Sequence, residues 1–270
     1  MNAGPGMHAP VFSLGHQLDP RHAQLIWDVF FVERSRGLDL ARHFPWLGRD
    51  QECLYAGLRH DAHWLAGLCI RPIPLAAVNA AAIGLVCVSA GHRGNGLARQ
   101  LIGETVAALD ERGLDALTLW TGKPGVYRRQ GFESEDSGVL IHIEGLEPAA
   151  AALHPADEPW PPASESRGLP PYALSGRCIG HGRARAIVLC DPLGDAVAEW
   201  QGSDAAVGEL LAAAMPRQWR LHSTVDDTLP EALRARGARL RSEPSRLQMW
   251  RWRAGRRRCA MPTLRLLDRI

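Results

Sequence analysis

Residues 80–111 constrain the fold more than any other stretch of this chain. "AAIGLVCV" (81–88) is a short, almost unbroken apolar run, the pattern of a strand covered on both faces. "SAGHRGNG" (89–96) interrupts it. The next segment, "LARQLIGETVAALDERG" (97–113), carries Leu97, Leu101, Ile102, Val106 and Leu109 on one helical stripe, with Gly113 as a stop. A buried strand that enters a helix through a glycine-rich turn predicts a mixed α/β domain with a covered sheet.

That junction also has a chemistry. The first N–H groups of a helix have no partners within it, and with the positive end of the helix dipole they suit a phosphate. Glycine lets the backbone approach a bulky anion. An arginine beside it can add a charge-assisted bond. A plain turn would use the same glycines, so the pattern alone decides little. A nucleotide P-loop requires G-x-x-x-x-G-K-[ST], and no lysine follows here. A dinucleotide fingerprint requires a third glycine, and Arg99 holds that place.

The elements around the junction read as mixed. "PVFSLGH" reads as a first strand. "DPRHAQLIWDVFFVERSRG" (19–37) opens with Asp19 as N-cap and Pro20 in the first turn, and reads as an amphipathic helix. "ECLYAGLRHDAHWLAGLCIRPI" (52–73) reads as a hairpin about Arg59–Ala62. "DALTLW" is a buried strand, "KPGVYRRQGF" a short helix from Pro124 to Gly131, and "GVLIHIEGL" (138–146) the closing strand. The stretch 147–171, rich in Pro, Ala, Ser and acids, reads as a linker. Beyond it come a hairpin, a helix capped by Ser203 or Asp204, a strand, a short helix and a last strand at "SRLQMWRWR". The expected organisation is a domain at 10–146, a linker at 147–171, a smaller mixed α/β domain at 172–254 and a basic tail at 255–270.

Composition bounds the function. The 270 residues are 46% hydrophobic and 22% charged, as in a globular protein. The N-terminal segment shows no signal-peptide pattern and no run is long enough to span a membrane, so the expectation is a cytoplasmic protein without a membrane partner. Six scattered cysteines form no C-x-x-C pair, which argues against a zinc site and a disulfide framework; Cys69, Cys87 and Cys190 read as buried filler. Residues 1–150 hold 13 basic and 16 acidic groups, and residues 151–270 hold 18 and 13. The surplus gathers in "RWRAGRRRC", but no groove-reading motif accompanies it, so nucleic acid is not the expected partner.

Arg93-Gly94-Asn95-Gly96-Leu97-Ala98 resembles the [Q/R]-x-x-G-x-[G/A] acyl-coenzyme A signature of the GNAT N-acetyltransferases. "VYRRQGFE" (126–133) resembles the Y-x-x-x-G-F segment of that family, at the expected distance. The resemblance covers roughly residues 10–145. The second half carries neither motif and is similar in element order to the degenerate half of tandem-domain members.

The resemblance implies a GNAT-like acyl-CoA N-acyltransferase fold, with acetyl-CoA as cosubstrate, no metal, and a small-molecule or peptide amine as acceptor; a homodimer is compatible with it. It implies that the backbone of Val86-Cys87-Val88 pairs with the pantetheine arm and that amides from Arg93 through Gly94, Asn95, Gly96, Leu97 and Ala98 hold the pyrophosphate. It implies that Tyr127 protonates the departing thiolate, as a phenol of pKa near 10 can. No acid lies on "AAIGLVCV" to serve as base; Glu33, Asp61, His60 and His63 are the candidates elsewhere, and water is the alternative. The expected activity is direct transfer of acetyl to a primary amine in a ternary complex, with the second half shaping the acceptor site. A catalytically inactive acyl-CoA-binding module is the rival reading.

Overall fold

The computed structural model describes residues 9–35, 37, 39–49, 51–75, 78–147, 153–162, 165–256, 258–259, 261 and 264–269. In chain order the elements are β1 (Val11–Gly15), α1 (Pro20–Phe30), α2 (Leu40–His43), β2 (Leu54–His60), β3 (His63–Ile73), β4 (Ala80–Val88), α3 (Leu97–Glu111), β5 (Ala116–Trp120), α4 (Pro124–Arg128), β6 (Glu133–Ser134) and β7 (Gly138–Glu144). There follow β8 (Ala156–Trp160), β9 (Ser175–His181), β10 (Ala184–Asp191), β11 (Gly194–Gln201), α5 (Asp204–Ala214), β12 (Gln218–Thr224), α6 (Leu229–Ala235), β13 (Arg239–Pro244) and β14 (Gln248–Trp252).

Local signals act where the residues place them. Asp19 caps α1 by accepting the Arg21 N–H at 2.7 Å, and Pro20 occupies the first turn, where its missing N–H costs nothing. The β2–β3 hairpin turns at Asp61, whose φ of +52° is one that Asp tolerates better than most residues. The α3 stripe expected from the sequence is buried, with Leu101, Ile102 and Leu109 fully so, against Leu58, Leu68 and Leu117 of the sheet.

Two seven-stranded mixed sheets result, ordered β1-β2-β3-β4-β5-β14-β6 and β13-β7-β12-β11-β10-β9-β8. Each has one parallel pair near its middle, β4 with β5 and β11 with β12, joined through a helix. The halves exchange strands. β7, expected to close the first sheet, lies in the second between β12 and β13. β14, the last strand of the second half, lies in the first between β5 and β6. Asp136 stands where the exchanged strands pass: its carboxylate accepts the N–H groups of Gly138 (2.8 Å), Leu247 (2.7 Å) and Gln248 (3.0 Å). Burial raises its pKa, but these donors outweigh burial and hold it below the ordinary carboxylate value.

The segment read as a linker is partly sheet. β8 forms the edge of the second sheet against β9, where Pro159 is tolerated, and Trp160 and Leu169 are buried. The segment read as a basic tail also packs back. Leu266 and Leu267 are buried with Trp160, Leu169 and Leu189. Arg256, Arg258 and Arg265 pair with Asp115, Glu133 and Asp227. These apolar residues are too sparse to show a period in the sequence; their burial comes from the groove they meet.

Candidate acyl-CoA site

β4 pairs with β5 only over Ala80–Ala82, opposite Ala116–Thr118. Beyond Ala82 the register ends and the strands part. On its other edge β4 follows β3 with a bulge: Gly84 faces Cys69 and Cys87 faces Gly67, so Leu85 and Val86 stand opposite Leu68 alone. Leu85 takes φ +54°, a left-handed value uncommon outside glycine. The bulge bends the strand and re-aims its backbone beside the opening.

The splayed strands lead to the N-terminus of α3. Gly94 (φ +83°) and Gly96 (φ +76°) take left-handed conformations, and a Cβ at either would meet no atom within 4 Å. Both glycines are therefore required by conformation and face open space. Gly96 caps α3 without a side-chain bond, and the first turn holds no acid, so its N–H groups are not met by a carboxylate. A backbone nest of this kind fits an anion. Cα-level access and free donors are what a pyrophosphate needs, and the residues present fit it.

The side chains around the nest have other roles. The Arg93 guanidinium is turned away from it, donating to both oxygens of Glu33 at 2.7 Å and to the Val88 carbonyl at 3.1 Å. It ties the end of the first helical segment to the end of β4, and Glu33 is engaged in this bond. His92 shares a 2.7 Å hydrogen bond with Ser89. Cys87 is buried, donates to the Gly67 carbonyl, and has its thiol pKa pushed up to about 12 by burial. It stays a neutral thiol, so only its backbone is available to a ligand. Val86 and Val88 pack partly against the main core.

A cavity of about 1050 Å³ opens from the splay. The first half contributes Ile83 to Val86, Leu119 to Lys123, Tyr127, Phe30, Phe44 and Trp46. Tyr127 lies on α4, edge-on to Phe132 at 6.1 Å, and burial pushes its phenol up to about 12. It keeps its proton throughout the neutral range. Asp61, His60 and His63 lie at the β2–β3 turn and do not line this cavity.

The other wall comes from the second half and was not legible as a site. Tyr172, Asp191, Arg220 and His222 reach it from β10, β12 and the segment before β9, together with Leu266, Leu267 and Arg269 of the C-terminal segment. Arg220 donates to Asp191 at 2.6 Å and to the Gly194 carbonyl at 2.9 Å. His222 is held neutral, its pKa lowered to about 4 by burial and then by Arg269 and Arg220. Among the described residues, no group of His, Cys, Asp and Glu is arranged to hold a metal ion, and no helix is long and apolar enough to cross a membrane.

A parallel pair that splays beside a bulge and opens onto a glycine-capped helix defines the GNAT acyl-CoA N-acyltransferase fold. Solved structures share it across both halves. A GCN5-related N-acetyltransferase from Anabaena variabilis superposes with a TM-score of 0.63 at 17% identity, over 90% of this chain and 73% of that one. A probable N-acyltransferase from Enterococcus faecalis gives 0.62 at 12%, over 90% and 73%. A GCN5-related N-acetyltransferase from Kribbella flavida gives 0.60 at 12%, over 90% and 71%. At these identities the likeness is one of fold. No curated protein matches the sequence. Residues 20–132 match the model of the acetyltransferase (GNAT) family.

Proposed function

We propose that the protein transfers an acetyl group from acetyl-CoA to a primary amine by direct attack in a ternary complex. The observation that carries this is a cavity bordered by the β4/β5 splay and Tyr127, with β4 running on from it to the glycine-capped N-terminus of α3. The amides of residues 93–98 would hold the pyrophosphate. The backbone of Val86-Cys87-Val88 would run along the pantetheine arm, and a β4 N–H would polarise the thioester carbonyl. Holding donor and acceptor in one cavity supplies proximity and orientation.

Tyr127 is the proton donor to the leaving thiolate in this reading. With its pKa near 12 against about 8.5 for a free thiol, complete transfer would run uphill by about 5 kcal/mol. The proton must therefore pass as the C–S bond breaks, and must return from the attacking amine. No described carboxylate borders the opening near β4, and His222 is too weak a base at neutral pH. Water relays the amine proton back to Tyr127. The second half shapes the acceptor end. Six free cysteines suit a reducing, cytoplasmic setting.

The rival reading is an acyl-CoA-binding module without turnover, favoured by the missing carboxylate base. A screen of amine classes with acetyl-CoA, read as thiol release, separates the two. Amine-dependent release supports the transferase; saturable acetyl-CoA binding with no release from any amine class supports the binding module.

A further inference from the structure

The acceptor wall is electropositive at its floor. Arg220 is only 8% exposed, and its contacts to Asp191 and Gly194 both use one terminal nitrogen, leaving Nε without a partner. Arg269 is largely buried over the Trp120 ring at 5.7 Å. Its guanidinium makes no ion pair or hydrogen bond among the described residues, and burial opposes its charge. The carboxylate that acts on it most, Asp136, is already occupied by three backbone N–H groups. Tyr172 adds a hydroxyl without a partner. Buried donors in this state cost stability unless a ligand meets them.

The charge count at this floor is specific. Arg220 and Arg269 supply two positive charges, Asp191 pairs with Arg220, Asp136 acts on Arg269 from outside the cavity lining, and His222 is neutral. A carboxylate would add one negative charge against the two arginines, whereas a phosphate dianion would add two beside Asp191 and Asp136. Phe30, Phe44, Trp46, Leu193 and Leu266 add apolar and aromatic lining, and Arg34, Lys123 and Arg167 also border the cavity. The same opening reaches Tyr127.

We propose that the acceptor is an amine that also carries a carboxylate on an apolar body, with the carboxylate seated at Arg269, Arg220 and Tyr172. This rests on the reading of the chain as an amine acetyltransferase. The arginines orient the acceptor so that its amine faces the splay. Among the described lining residues Asp191 is the one acid, which disfavours polycationic acceptors.

The test uses the full chain and pairs of probes. Unbranched ω-amino carboxylates of increasing length, and 4-(aminomethyl)benzoate, are each compared with their own carboxamide and their phosphonate analogue. Turnover is read as kcat/KM with acetyl-CoA, and binding is read by calorimetry without it. The expected result is a preference for carboxylate over carboxamide of about tenfold to 100-fold, strongest at one length. In Arg269→Gln, shown folded by thermal unfolding, the ratio should fall toward one, and Arg269→Lys should restore part of it. A ratio near one for every pair, in turnover and in binding, overturns the proposal. So does a preference that survives Arg269→Gln, or a phosphonate bound better than its carboxylate. If no amine turns over, yet carboxylate-selective binding is present and lost in Arg269→Gln, the anion site stands and the transferase reading falls.

Discussion

Cutting the chain after residue 150 should destroy the acyl-CoA domain, although every motif of that domain lies before the cut. The fragment loses β14, which pairs with β5 from Gln248↔Trp120 to Trp252↔Ala116. Met249 and Trp250 are 1% and 2% exposed. Truncating a buried Met to Ala costs about 2–5 kcal/mol and a buried Trp about 3–5, so these two side chains alone account for about 5–10 kcal/mol. That equals much of the about 5–15 kcal/mol by which a domain is stable. The bidentate Arg251–Asp110 pair and the buried bond from Thr118 Oγ1 to the Met249 carbonyl are lost as well. The fragment should show no cooperative unfolding by circular dichroism and no heat of coenzyme A binding. A second protein tests the cause. β6 and β14 already pair antiparallel, and the Glu135 N–H donates to the Gln248 carbonyl. Joining residue 136 to residue 246 through a short glycine-rich loop, and ending at 256, would return β14 as a hairpin partner while omitting β7. That protein should fold and bind coenzyme A better than the simple fragment. Cooperative melting of the simple fragment with full affinity would refute the reasoning, as would an unfolded hairpin-closed protein.

Three further outcomes follow from the same geometry. Gly94→Glu with Gly96→Glu places two carboxylates at the nest; one like-charge contact near 4 Å costs about 4 kcal/mol at a protein surface, so calorimetry should show acetyl-CoA affinity reduced by about a thousandfold, while Gly94→Asn, which tolerates the left-handed backbone, should retain binding. Tyr127→Phe should slow the chemical step by about 100-fold to 10,000-fold, and less for an acyl donor with a more acidic thiol; equal slowing for both donors would leave Tyr127 only a positioning role. His22 is buried, stacked on Trp64 at 5.0 Å, and its pKa is lowered to about 4, chiefly by burial. The unfolded chain then takes up a proton before the folded one, so stability should be full above pH about 6.5 and fall by up to about 3 kcal/mol as pH drops toward 4. A denaturant midpoint that stays flat across that window would count against it.

Much of the candidate site was legible because its signals are local. Gly94 and Gly96 mark left-handed positions at a strand-to-helix turn, the Leu97–Leu109 stripe marks one helix face, and Pro124 and Gly131 bracket the turn that holds Tyr127. Arg93 shows how far this reaches: it stands next to Gly94, and its charge is directed to Glu33, sixty residues earlier in the chain. The second wall of the cavity was not legible. Tyr172, Arg220, His222 and Arg269 have ordinary neighbours in sequence and converge only because β12, the segment before β9 and the C-terminal segment meet across one cavity.

Element type, helix caps, the covered face of each strand and the anion nest are written in residues a few places apart, because hydrogen bonds within helices and turns span only a few positions and side chains alternate with a short period. Partnership between strands is of another kind. "GVLIHIE" and "QMWRW" carry compatible apolar faces, and nothing local tells either which sheet to join. That choice depends on whole-surface burial and on Asp136, which receives N–H groups from residues on both sides of the exchange. The same holds for Leu266 and Leu267, exposed by pattern and buried by a groove that exists only once the second sheet and the former linker have assembled. The glycine nest is thus local in origin, and the far wall of the cavity is made by long-range packing.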